Sequence, residues 1–77
     1  MTLRELILPM YGNDTIIEVI TRRYGKEKGV DFVKLVENAT EEELKTNYEN
    51  SEIMNYQVVW FSVGSGRMLI RVDQKEN

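Results

Sequence analysis

Neither cysteine nor histidine occurs in the 77 residues, and these absences exclude more chemistry than any residue present implies. Without histidine the commonest neutral-pH general base is missing. Without cysteine there is no thiolate nucleophile and no disulfide framework, and the loss of both removes most zinc and copper ligand sets. Long apolar runs are also lacking: the uninterrupted ones cover a few residues, against the roughly 20 that a helical membrane span needs. The opening stretch carries Arg4 and Glu5 inside its apolar run and lacks the basic start, apolar middle and small-residue cleavage site of a secretion signal. A cytoplasmic protein with no membrane association is the expectation. Proline occurs once, at position 9, and glycine five times, so the few breakers present carry weight as boundary signals.

Hydrophobic residues make up 42% and charged residues 30% of the chain, which places it among folded domains rather than disordered segments. The length suits one small domain over residues 1–77, with 74–77 a frayed tail, and packing alone must stabilise it. The net charge of −3 is uneven. Residues 1–39 carry six basic and six acidic side chains, and residues 40–77 carry four and seven. A basic face for duplex DNA is not indicated.

The stretch 56–73, YQVVWFSVGSGRMLIRVD, reads as a β-hairpin turning at Gly64-Ser65-Gly66. A two-residue loop of either Gly64-Ser65 or Ser65-Gly66 suits the hairpin turns that need positive φ. With Ser65-Gly66 as the loop, Val63 faces Met68, Phe61 faces Ile70 and Val59 faces Val72, six apolar side chains on one side. A three-residue loop would break that parity. On the other side the same register sets Trp60 beside Arg71, Ser62 beside Leu69 and Val58 beside Asp73.

Upstream, Thr2-Leu3-Arg4-Glu5 has capping-box spacing and predicts a short helix over about 2–8, limited by Pro9; an extended form of ELILPMY stays open. Residues 15–22 are rich in β-branched side chains and read as a strand, 24–29 as a polar glycine-flanked loop, and 30–37 as the return strand. Ile16 and Ile20 oppose Ile17 and Val19, and Phe32 and Val36 oppose Val33 and Leu35, so both faces carry apolar residues. Thr40 to Glu43 repeats the capping box and opens a helix over about 41–48, which 52–55 would extend by a turn. The expected fold is α+β, helix-hairpin-helix-hairpin (αββαββ), with a four-stranded antiparallel sheet and two short helices mainly on one face. The repeated T-x-x-E opening of each half hints at duplication.

Three features bear on function. Glu41-Glu42-Glu43 could supply carboxylates to a cation, but consecutive helical residues diverge by about 100 degrees and cap the helix instead. Gly64-Ser65-Gly66 lacks the flanking context of a phosphate cradle or nucleophile turn, so no catalytic residue, cofactor or metal is assigned. Arg22, Arg23, Tyr24, Lys26 and Lys28 cluster at the first hairpin's tip, the ingredients of single-stranded nucleic-acid binding, and equally of a solvated loop. Tyr56, Trp60, Leu69 and Arg71 fall on the outer face of the second hairpin, with Trp60 over Arg71 a cation–π pair, the composition of an interaction hot spot. Burial of Trp60 under another element or a homodimer partner is the bland counterpart.

The opening Met1-Thr-Leu-Arg-Glu-Leu-Ile7, the strand from Thr15 to Ile20, and the ending in which Tyr56-Gln-Val-Val-Trp-Phe61 is followed by a glycine turn and Met68-Leu-Ile-Arg-Val72 resemble short proteins of Gram-positive prophages and integrative conjugative elements. That resemblance implies a small accessory product and transfers no functional residue. The expectation is therefore a non-enzymatic accessory or regulatory domain that binds a protein, itself included. The alternative is a single-stranded nucleic-acid-binding regulator using the basic tip. A third reading is an acidic inhibitor of a host nuclease.

Overall fold

The computed structural model describes residues 1–10, 14–24 and 30–74. The chain is α+β: α1 (Leu3–Ile7), β1 (Ile16–Tyr24), β2 (Val30–Ala39), α2 (Glu41–Asn47), a 3-10 helix (Glu52–Asn55), β3 (Gln57–Gly64) and β4 (Arg67–Asp73). Both T-x-x-E spacings close capping boxes. The Thr2 N–H donates to Glu5 Oε1 at 2.8 Å while the Thr2 hydroxyl oxygen accepts from the Glu5 N–H, and Thr40 and Glu43 repeat the pattern. A helix as short as α1 is marginal in isolation. It stands because its cap satisfies the first orphan donors and because Leu3 and Ile7 are completely buried, which removes the extended alternative. Arg4 then ties it down, donating to Asn55 Oδ1 at 2.9 Å and to the Glu49 carbonyl at 2.6 Å. Residues 52–55 form a separate turn, capped by Ser51, rather than a continuation of α2. Among the described residues, no helix is long and apolar enough to cross a membrane.

The four strands lie in the order β2-β1-β4-β3. The two hairpins are antiparallel as expected, but the central pair β1 and β4 is parallel, from Ile16 beside Arg67 to Thr21 beside Val72. The sheet is mixed, not antiparallel. The cause is the connection over residues 40–56, which exceeds the roughly dozen residues a crossover needs. It carries the chain along the helices and back to the starting end of the sheet. β3 thus runs in the same direction as β2, and β4, antiparallel to β3, must run with β1.

Side-chain parity defines two faces. Ile17 and Val19 of β1, Val36 and Ala39 of β2, and Met68, Ile70 and Val72 of β4 are buried against Leu3 and Ile7 of α1, Leu44 of α2 and Met54. Two corrections come from bulges, each an unpaired extra residue that reverses parity beyond it. On β2, Val36 faces Val19 but Lys34 faces Ile20, so Leu35 is extra and Phe32 lies on the opposite face from Val36. On β3, Val58 faces Val72 while Trp60 faces Arg71, so Val59 is extra. Val59 therefore does not face Val72, and Gln57 rather than Val58 lies beside Asp73.

Candidate protein-binding site

The helices cover one face of the sheet, and no described helix covers the other. That open face carries Glu18, Ile20 and Arg22 from β1, Phe32 and Lys34 from β2, Leu69, Arg71 and Asp73 from β4, and Trp60 and Ser62 from β3, as the strand pairings dictate. Its two halves differ in chemistry. At the β2 edge, Lys34 Nζ lies 3.2 Å from Glu18 and 3.6 Å from Glu37. The hydrogen bond that Lys34 donates to Glu18 and the negative charges of Glu18 and Glu37 hold its ammonium above its ordinary range.

At the centre stands Arg71. Its side chain is only 14% exposed although it sits on the uncovered face. Nη2 reaches Asp73 Oδ2 at 3.2 Å, and Nε is buried with no hydrogen-bond partner among the described residues. A desolvated donor left unsatisfied is costly. The guanidinium carbon lies over the Phe32 ring, 5.8 Å from its centroid. The cation–π partner is thus Phe32, two strands away, rather than the Trp60 expected from the hairpin register. Trp60 does sit directly across from Arg71. Leu69 is half-buried beside it and, with Glu18, Ser62 and Arg67, lines a shallow depression of about 310 Å³.

Trp60, Leu69 and Arg71 are therefore brought together on one face, and Tyr56 is not. Tyr56 precedes β3, caps the 3-10 helix and packs against the core beneath α1. Its spacing of four from Trp60 fails to keep it on that face because the bulge at Val59 intervenes. Phe32, 51% exposed, belongs to the site and is missing from the sequence-derived set for the same kind of reason: the bulge at Leu35 hides its parity. The signal available beforehand was an aromatic ring within a strand that also carries Val36.

Of the basic-tip candidates, Arg22 is exposed on the open face, opposite Phe32. Arg23 and Tyr24 are placed as backbone, opposite Asp31 and Val30. Lys26 and Lys28 lie outside the described residues. The three glutamates of α2 diverge as expected: Glu41 pairs with Lys45 at 3.1 Å and Glu43 serves the Thr40 cap.

β3 itself is the second notable surface. It is an edge strand, and every residue from Val59 to Gly64 is exposed. Phe61 and Val63 point to the helix side, opposite buried Ile70 and Met68, yet remain exposed. Comparison with protein-family models, with curated proteins and with solved structures returns no match.

Proposed function

We propose that this chain is a non-enzymatic accessory domain of a mobile element that acts by binding a protein through the open face of its sheet. The observation that carries this is Arg71, held nearly buried between exposed aromatic residues with its Nε unsatisfied. A side chain so placed contributes little to folding, whereas aromatic residues around an arginine are the usual anchors of protein interfaces. A docked partner completes the desolvation of Phe32 and Trp60 and offers acceptors to the guanidinium. Affinity capture from a Gram-positive lysate, with the wild type beside Phe32→Ser and Trp60→Ser, is the test. Specific partners retained by the wild type and lost with both variants are expected; an identical set with all three proteins would overturn the proposal.

A single observation favours a second reading, binding of single-stranded nucleic acid: Arg22 lies opposite Phe32 on the same open face as Arg71. Arginines beside exposed rings suit backbone contact with base stacking. Salt-dependent binding of a labelled oligonucleotide, weakened by Arg22→Glu, supports it; an affinity unchanged by that charge reversal removes it.

A further inference from the structure

The outer edge of β3 is where the chain leaves most backbone and apolar surface uncommitted. Its beginning is occupied: the Leu3 N–H donates to the Tyr56 carbonyl at 2.9 Å, Thr2 bridges Gln57, and the Val58 N–H donates to the Met1 carbonyl at 2.8 Å. The bulge at Val59 follows. From residue 60 to the turn at Ser65-Gly66 the strand is regular, and beyond Val58 no described segment pairs with its outer edge.

The two-residue turn sets which groups face outward. Gly64 and Arg67 flank it and exchange hydrogen bonds, and alternation along an antiparallel ladder then directs the N–H and C=O of Val63 and Phe61 away from β4. The side chains concerned are apolar and open, with Val59 at 46%, Trp60 at 39%, Phe61 at 48% and Val63 at 67% exposure. Natural edge strands are normally blunted by lysine, proline or inward charge. β3, with sequence QVVWFSVG, has none of these, whereas the opposite edge, β2, carries Lys34 in an ion-pair network.

We infer that β3 pairs with β3 of a second copy, antiparallel about a two-fold axis at Ser62, joining two four-stranded sheets into one of eight strands. This goes beyond the open-face proposal: it adds a second copy of the chain as a partner and uses the strand edge rather than the open face. The axis follows from geometry. Only a pairing centred on Ser62 engages the whole regular stretch 60–64 of both copies and keeps clear of the segment already held at Val58. It sets Phe61 opposite Val63 of the second copy, and the reverse, so that their outward groups exchange four hydrogen bonds. On the open face it sets Trp60 opposite Gly64 of the second copy. A Cβ built at Gly64 meets nothing within 4 Å, so the glycine leaves room for the indole to lie across the strand.

A second copy also fits the charge. The strand carries no ionised side chain, so the net charge of −3 on each copy is not brought into the seam. With roughly 200 Å² for each aromatic side chain and somewhat less for each valine, the four exposures amount to roughly 350 Å² of apolar surface per copy. Full cover of all four would hide roughly 700 Å² in the pair, and edge pairing leaves part of each side chain open on the sheet faces, so the seam lies below the roughly 1,200 Å² at which stable specific interfaces begin and belongs to the weak, transient class. A weak, reversible dimer held mainly by the four ladder hydrogen bonds is expected.

The experiment uses the full chain. Sedimentation equilibrium should show concentration-dependent dimers, and Val63→Lys, a fully solvated substitution that places a charge at the edge, should weaken dimerisation at least about tenfold with unchanged circular dichroism. Because the chain has no cysteine, Ser62→Cys supplies one thiol at the axis. Under mild oxidation it should form a covalent dimer at least about tenfold faster than Asn50→Cys, since a non-hydrogen-bonded cross-strand pair has suitable spacing for a disulfide. A monomer at hundreds of micromolar, dimers untouched by Val63→Lys, or equal cross-linking rates would each overturn the inference. Phe32→Ser, remote from the edge, separates the two proposals: capture of a partner that depends on Phe32 but not on Val63 leaves the open-face proposal standing without the dimer.

Discussion

Replacing Arg71 with methionine should leave the fold about as stable as before or make it more stable, while removing the function of the face it occupies. Three terms decide the sign. The Arg71–Asp73 contact is 3.2 Å long, but Asp73 is 38% exposed, so solvent screening limits the pair to about 0.5 kcal/mol. The guanidinium over Phe32, at 5.8 Å, adds about 0.5–1 kcal/mol. Against these stands the buried Nε without a partner, which costs about 1–3 kcal/mol. Methionine keeps an unbranched apolar stem in the same space and has no donor to strand. The net change therefore runs from about 0.5 kcal/mol of lost stability to about 2 kcal/mol of added stability. Urea unfolding followed by circular dichroism, at low-micromolar protein, measures it directly. For a chain of this size about 1 kcal/mol corresponds to roughly 4–8 °C in melting temperature. A loss greater than about 1.5 kcal/mol in Arg71→Met would show that the guanidinium holds the sheet together, and would withdraw the main support for a binding role.

Other consequences are simpler to check. Gly66 sits at φ +73 with open space around its Cβ position, so Gly66→Ala should cost about 1 kcal/mol through backbone strain alone, read from the denaturation midpoint. Ser65 has φ 49, and Ser65→Asn should be neutral or gain a few tenths of a kcal/mol, asparagine tolerating that region better. Leu44 is completely buried, and Leu44→Ala should destabilise by about 2–5 kcal/mol, enough to unfold much of a domain this small in a thermal melt. The Glu5 carboxyl is held below its ordinary range, first by the Thr2 backbone N–H and then by the Thr2 hydroxyl. Its contribution is therefore full above the unfolded-state value and lost as pH falls through the lower folded value. The stability difference between wild type and Glu5→Gln should shrink on acidification, and a difference independent of pH would contradict the capping-box assignment.

Much of the second hairpin was legible because parity is a strong constraint. Ser65 and Gly66 both take positive φ, and the pairs Val63–Met68, Phe61–Ile70, Ser62–Leu69 and Trp60–Arg71 stand as the turn required. The register fails only past Val59, where nothing local distinguishes a bulged valine from a regular one. The bulge coincides with the point where Met1 and Thr2 meet β3, a contact between residues far apart in sequence. That one displaced residue moved Tyr56 out of the candidate site, just as the bulge at Leu35 brought Phe32 into it. How the hairpins meet was less legible. Each hairpin's pattern is silent about its neighbour, and the usable clue to a parallel centre was the length of the connection over residues 40–56. The exposure of Phe61 and Val63 follows from the small number of helical residues available to cover a four-stranded sheet.

The parallel pairing of β1 with β4 has a kinetic consequence. Each hairpin closes over a short loop, on the microsecond scale typical of such elements. The seam between them joins Ile17 to Met68 and Val19 to Ile70, partners separated by roughly fifty residues, and such a contact is slow to find. If folding is limited by the meeting of two preformed halves, changes at the Ser65-Gly66 turn should slow refolding with little effect on unfolding, while substitutions at Ile17, Val19 or Ile70 should divide between slower refolding and faster unfolding according to how far the seam has formed at the barrier. Until that seam closes, the inner edges of β1 and β4 are open as well as the outer edge of β3. The interval before closure is thus when this chain is most exposed to exchanging halves with another copy of itself.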